Sequence, residues 1–232
     1  MLIPNLLLTA KYRLRGINLK KELASGSAKL PPCQEDNQDE SKFICLTFDD
    51  GPSQHTVRLL DILKENDVKA TFFLVATFAR ENREIIDRMK AEGHTLALHT
   101  FEHKCPLFEN EEYTKHAFDK SMDILTDLGI SPRFFRPAWG TFNRVNIAKA
   151  REYGLKPILW NVMAEDWQGN TTDDIIFKKL IKRTKPYDVV CLHDGRGENN
   201  APGRTIKALE RAIPMWKRRG FRFVTIGDIF DE

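Results

Sequence analysis

Two adjacent carboxylates, Asp49 and Asp50, close an apolar run from Phe43 to Phe48, and Gly51-Pro52 follows at once. An apolar run bounded by turn residues reads as a buried strand. Two acids at the end of such a strand are costly to desolvate unless they are paired or hold a cation. Read alone, the pair is equally well a solvated turn, because Asp-Gly is a common turn dipeptide. His99 and His103 follow at four-residue spacing. Two histidines and a carboxylate are a common ligand set for a zinc-type site that keeps positions open for water. Arg136 precedes Pro137-Ala138-Trp139-Gly140, Asp166 precedes Trp167, and His193 precedes Asp194. Each of these has a plain structural explanation on its own: an ion pair, a turn, a core aromatic, a satisfied histidine.

What joins them is their place in the chain. From Ser41 onward, strand and helix signals alternate. Strands are expected at Phe43–Phe48, Ala70–Val75, Thr95–His99, Phe134–Arg136, Lys156–Trp160, Val189–His193 and Phe223–Ile226. Helices are expected at His55–Asn66, Arg80–Glu92, Glu111–Leu128, Arg144–Tyr153, Thr172–Arg183 and Thr205–Arg219, several of them ended by glycine as C-caps require. The alternation implies a parallel sheet with helices outside, either a β/α barrel or an open doubly wound sheet. In both architectures the carboxyl ends of the strands share one face, where active sites are built. Asp49, Asp50, His99, His103, Arg136, Asp166 and His193 all fall at or just beyond such ends. Of the other histidines, His55 follows the Asp49-Asp50 turn and is a candidate neighbour of it, whereas His94 and His116 read as surface or loop residues and are given no role.

Composition bounds the alternatives. The chain has 232 residues with a formal net charge of +3, so bulk charge does not argue for nucleic acid. There is no G-x-G-x-x-G after the first strand and no G-x-x-x-x-G-K-[ST], so nucleotide binding has no support. Cys33, Cys45, Cys105 and Cys191 form no C-x-x-C pair and read as reduced thiols. Residues 1–40 divide from the rest. Residues 1–21 carry Lys11, Arg13, Arg15, Lys20 and Lys21 without an acid, and Leu7, Leu14 and Ile17 fall at helical spacing. They read as an amphipathic helix that packs on the domain, or alternatively lies on an anionic membrane surface. Residues 24–41 read as a linker arm rich in Ser, Gly, Pro and acids. No apolar run is long enough to span a membrane. The basic residues follow Leu6-Leu7-Leu8 instead of preceding it, unlike a secretory signal. A cytoplasmic location is therefore the expectation, with export or membrane association left open.

The motifs Thr47-Phe48-Asp49-Asp50-Gly51, His99-Thr100-Phe101-Glu102-His103, Arg136-Pro137-Ala138-Trp139-Gly140, Asp166-Trp167 and Leu192-His193 occur in that order. With them the segment from Ser41 to Ile229 resembles the polysaccharide deacetylase family (NodB homology, carbohydrate esterase family 4). The resemblance implies a distorted, incomplete (β/α)7-8 barrel, one divalent metal (zinc first, cobalt or another divalent ion second), and removal of N- or O-acetyl groups from an amino-sugar glycan or glycoconjugate. It implies Asp50, His99 and His103 as metal ligands, Asp49 as general base and His193 as general acid. Arg136 would orient Asp49, and Asp166 would hydrogen-bond His193. Trp139 would offer its backbone N–H to the oxyanion, and Trp167 and Leu192 would wall the acetyl pocket. Two positions depart from the common pattern of the family: Ala138-Trp139 stands where Pro-Tyr or Pro-Phe is frequent, and Met163 where an Asp is frequent. Hydrolysis of a non-sugar amide on the same scaffold, and an inactive carbohydrate-binding relative, are the competing expectations.

Overall fold

A computed structural model describes residues 19–29, 42–106 and 108–230. Its sheet is entirely parallel, in the order β5-β4-β3-β2-β1-β7-β6, and β8 pairs with the start of β1. The strands are β1 (Phe43–Asp49), β2 (Thr71–Val75), β3 (Thr95–Thr100), β4 (Phe134–Phe135), β5 (Lys156–Pro157), β6 (Val162–Met163), β7 (Val189–His193) and β8 (Arg222–Phe223). The helices are α1 (Leu19–Ala24), α2 (Gln54–Glu65), α3 (Ala76–Glu81), α4 (Arg83–Ala91), α5 (Glu111–Asp127), α6 (Arg144–Glu152), α7 (Asp173–Arg183), α8 (Ala201–Arg218) and α9 (Ile226–Phe230). The curled sheet is the distorted, incomplete (β/α) barrel that the motifs imply. Among the described residues no ladder joins β5 to β6, so the barrel stays open there.

Side-chain alternation explains both the core and the position of the acids. Successive residues of a strand point to opposite faces. In β1, Ile44, Leu46 and Phe48 join the large cluster beneath the helices, whereas Phe43 and Cys45 join a second cluster inside the barrel. Phe73, Ala97, Phe134 and Val189 fill that same interior from the neighbouring strands. Both faces are thus buried, which is why β1 reads as an unbroken apolar run. By the same alternation Thr47 and Asp49 belong to the interior side, above Phe43 and Cys45.

Four elements differ from the sequence expectation by more than one residue, and β6 is a strand that was not foreseen. The strand foreseen over Lys156–Trp160 ends at Pro157. Residues 158–161 then cross the open seam to β6 on the far edge, with Ile158 N–H donating to Phe135 O at 2.9 Å and Asn161 N–H to Val189 O at 2.9 Å. The helix foreseen over Arg80–Glu92 is two helices, α3 and α4, broken at Asn82, whose side chain donates to Phe78 O at 2.8 Å. α8 begins at Ala201 instead of Thr205, with Pro202 in its first turn, where a missing N–H does no harm. The last strand stops at Phe223 because Thr225 and Asp228 cap α9 reciprocally: Thr225 N–H donates to Asp228 Oδ2 (2.7 Å) and Asp228 N–H to Thr225 Oγ1 (3.0 Å).

The helix expected over residues 1–21 lies outside the described residues up to residue 18, as does the arm from residue 30 to 41. Leu19, in α1, is buried in the interior cluster, Ala28 is buried, and Lys29 N–H donates to Ile229 O at 2.9 Å. Among the described residues no helix is long and apolar enough to cross a membrane.

Candidate active site

Asp49, the last residue of β1, is in register with Phe73 of β2 and His193 of β7. Its Oδ1 accepts from Arg136 Nη1 at 2.6 Å, and the Cys191 thiol donates to its Oδ2 at 3.4 Å. Arg136 is wholly buried. It also donates to Thr47 Oγ1 (2.8 Å) and Ile158 O (3.0 Å), and its guanidinium lies 3.9 Å from the centre of the Phe73 ring. A buried guanidinium on an aromatic face, bonded to a carboxylate, is held in place by attraction that water would otherwise weaken. The β4 register places it there: Arg136 N–H donates to Leu98 O at 2.9 Å as the chain leaves the sheet.

Asp50 departs from the strand at φ 72°, a left-handed conformation uncommon for a side-chain-bearing residue. This turn sends the second carboxylate away from the first. Asp50 Oδ1 lies 2.7 Å from His103 Nε2 and 3.2 Å from His99 Nε2. His99 Nδ1 is 2.7 Å from Arg136 O. A carbonyl only accepts, so Nδ1 carries the proton and Nε2 of the neutral ring presents a lone pair towards Asp50. Asp50 Oδ1 is buried yet has no hydrogen-bond partner, although two ring nitrogens converge on it. A carboxylate oxygen facing two imidazole nitrogens is the donor set of a divalent cation, with the His99 ring oriented by a backbone carbonyl behind it. The residues therefore fit the metal that the fold implies.

His193 ends β7. Its Nδ1 lies 2.9 Å from Asp166 Oδ1, and its backbone N–H donates to Asp166 Oδ2 at 2.9 Å. Asp166 is fully buried and also accepts from Thr205 Oγ1 at 2.8 Å. Burial pulls the His193 pKa down, but the charge and hydrogen bond of Asp166, aided by Asp50 and Asp49, push it up to about 10. The Trp167 ring stands edge-on to His193, 5.1 Å between centres.

These side chains line one cleft of about 820 Å3, together with Trp139, Trp160, Met163 and Trp167. Trp139 occupies a left-handed position (φ 54°), is 53% exposed, and lays its ring 4.5 Å from that of His103. Nine of the ten residues singled out from the sequence meet here, with Arg136 and Asp166 behind the cleft wall. Leu192 does not. It is fully buried in the cluster beneath the helices, because in β7 it points opposite to His193. The residue on the same face as His193 is Cys191, and on the same face as Asp49 is Thr47. Period-two alternation was the available signal for both. Thr205 is 39 residues from Asp166 and has no local signal. His94, expected at the surface, is buried and accepts the Ala70 N–H at Nδ1 (3.1 Å). Burial, with Lys69 nearby, lowers its pKa to about 4. His116 is exposed, and His55 sits on the first turn of α2.

Residues 36–158 match the family described as polysaccharide deacetylase. A peptidoglycan-N-acetylglucosamine deacetylase of Bacillus cereus is 34% identical over 189 residues, covering 81% of this chain and 68% of the relative. A chitooligosaccharide deacetylase of a Bradyrhizobium species is 33% identical over 195 residues, covering 78% and 87%. Among solved structures, the Bc1960 peptidoglycan N-acetylglucosamine deacetylase in complex with 4-naphthalen-1-yl-N-oxidanyl-benzamide superposes with a TM-score of 0.74 at 33% identity, covering 81% of this chain and 87% of that one. Sequence, fold and the ordered motifs agree, and the chain belongs to the polysaccharide deacetylase family.

Proposed function

We propose that this chain removes the N-acetyl group from N-acetylglucosamine units of a glycan, with Asp50, His99 and His103 holding one zinc ion. The sugar is supported by the names of the relatives, and zinc by the two-histidine, one-carboxylate donor set. When bound, the ion would polarise the acetyl carbonyl and acidify the attacking water.

The protein's own groups divide the proton work. Asp49 takes the proton of the attacking water. Its Oδ1 is committed to Arg136, so Oδ2, which meets only the weak thiol donor of Cys191, is the oxygen assigned to that proton. The Trp139 backbone N–H is assigned to the oxyanion that develops on the carbonyl. As the amide C–N bond breaks, His193 gives its proton to the departing amine. Asp166 keeps that proton on the ring at neutral pH. The observation that carries this reading is the juxtaposition of base and acid, Asp49 and His193, in register on adjacent strands beside the orphaned Asp50 Oδ1.

The test is acetate release from N-acetylglucosamine oligomers by the purified chain. Chelation should abolish it and added zinc restore it. Asp49→Asn and His193→Ala should each lose on the order of 100-fold or more in kcat, the usual range for a general base or acid. Undiminished turnover in the metal-stripped protein would overturn the assignment.

A further inference from the structure

The cleft holds two charged side chains that the reaction above does not use, Arg196 and Glu198. Both stand on the Gly- and Asn-rich loop that follows β7. That loop is braced against the loop carrying Asp166 and Trp167. Glu198 N–H donates to Trp167 O at 2.9 Å, and Gly169 N–H donates to Glu198 Oε2 at 3.1 Å. From α8, Arg204 donates to Thr171 O (2.8 Å) and Gln168 O (2.8 Å) on one side, and to Glu198 O (3.1 Å) and Asn199 O on the other. One guanidinium thus ties both walls of the cleft together through four carbonyls. Gly197, at φ 128°, allows the close approach: a Cβ there would lie 2.5 Å from that of Ala201.

The bracing occupies Glu198 and leaves Arg196. Among the described residues Arg196 makes no hydrogen bond or ion pair, and it is exposed at the cleft. A planar guanidinium on a supported loop is pre-organised for a carboxylate, which it can grip with two parallel hydrogen bonds. Apart from Arg196, Glu198 and the acids and histidines of the site, the lining is aromatic, apolar or glycine, with Trp139, Trp160, Trp167 and Met163 as surfaces on which sugar rings can pack. The cleft, about 820 Å3, is at the upper end of the ~300–1,000 Å3 usual for ligand sites, so it has room for a sugar beside the N-acetylated one.

We propose that Arg196 reads a carboxylate carried by the sugar adjoining the N-acetylated unit, so that the cleft selects an acidic glycan over a neutral one. The inference rests on the deacetylase reading and adds a specificity residue to it.

Three tetrasaccharides of equal length test it: a neutral N-acetylglucosamine oligomer, one whose alternate sugars bear a lactyl-ether carboxylate, and the same molecule with those carboxylates capped as amides. The readout is the ratio of kcat/KM for the free over the capped acid. In the wild type at low salt it should be about five, the upper range for an exposed ion pair, and it should fall towards one in 1 M salt. Arg196→Gln should bring the ratio to about one, and Arg196→Lys should retain part of it. A substitution that merely loosened the loop would lower both arms and leave the ratio where it was. A wild-type ratio of one, or an unchanged ratio in Arg196→Gln, overturns the proposal while leaving the deacetylase reading intact. Failure of the wild type to release acetate from all three, the neutral oligomer included, sinks the deacetylase reading instead.

Discussion

Replacing Asp166 by Asn removes a charge and keeps the shape. It should convert His193 from an acid that is protonated through neutral and mildly alkaline pH into one that is not. His193 stands at about 10, against an ordinary 6.5, and Asp166 is the first cause that raises it. Burial acts in the opposite direction, and with Asp166 neutral only the more distant Asp50 and Asp49 oppose it. The ring should then return to about 6.5 or below, a fall of at least about three units. At pH 8 the protonated fraction would drop from nearly all to about 3%, so a step that needs the proton slows by about thirty-fold. The assay is acetate release from pH 5 to 10. In the variant the alkaline limb of kcat should move down by about three units, and most of the lost rate should return near pH 5.5, where both rings are protonated. An ion held at Asp50 disfavours the imidazolium in both proteins, so the distance between the two alkaline limbs, and not the position of either, is the quantity that tests Asp166. A variant whose alkaline limb stays in place, or whose loss is equal at every pH, would show that Asp166 only fastens the β7 end through the His193 N–H and Thr205.

Two further outcomes concern stability. Arg136→Met leaves Asp49 buried without its cation and should destabilise the fold by about 3–5 kcal/mol, read from denaturant midpoints; the double variant with Asp49→Asn should recover much of that loss. No recovery would mean that packing on Phe73, and not the uncompensated charge, is what Arg136 supplies. His94 is held neutral in the fold, at about 4 against 6.5 when free. The unfolded chain therefore binds its proton first as pH falls. The stabilisation is complete above pH 6.5, shrinks below it, and is gone once pH has passed through the folded value near 4. The total is about 3 kcal/mol, and His94→Asn should flatten this component of the curve between pH 7 and 4. Parallel curves for the two proteins would refute the assignment to His94.

How much of this was legible depends on how far each signal lies from its partner. β1 and β7 are bounded by their own apolar runs and turn residues, and β7 begins and ends where its sequence indicates. Asp49 and His193 stand out because a charge at the end of such a run is abnormal. Leu192 was misplaced for a reason the sequence itself contains, since alternation from His193 turns it outward. The seam at residues 158–161 had no such signal. Ile158 to Trp160 is apolar enough for a strand, and only the open edge of the barrel makes it cross from β5 to β6. That crossing supplies Trp160 to the cleft and the Ile158 carbonyl to Arg136. His94 was misread because a polar residue after a helix-ending glycine looks like loop, whereas here its ring seals the start of β2 against Phe72.

The division of labour between adjacent carboxylates follows from one backbone angle and what enforces it. Continued extension would simply have put Asp50 on the outer face, among the helices, where an ionised carboxylate is prohibitive. The left-handed step at φ 72° costs roughly 1–2 kcal/mol for a residue with a Cβ, and the surroundings over-determine it. Val75 N–H donates to Gly51 O at 3.0 Å, and Asp194 N–H donates to Asp49 O at 3.2 Å. The end of β7 presses so closely on the turn that a Cβ at Gly195 would lie 1.8 Å from Asp50 O. The strands on either side of β1 therefore hold the turn, and each also furnishes chemistry or leads to it: β7 brings Cys191 and His193, and beyond β2 the end of β3 brings His99. Asp49 stays on the interior side and meets Arg136; Asp50 is swung over the top and meets two imidazoles. The same forces that close the turn keep base and ligand apart, so a substitution that relaxes Asp50 into an extended conformation would disturb both functions at once.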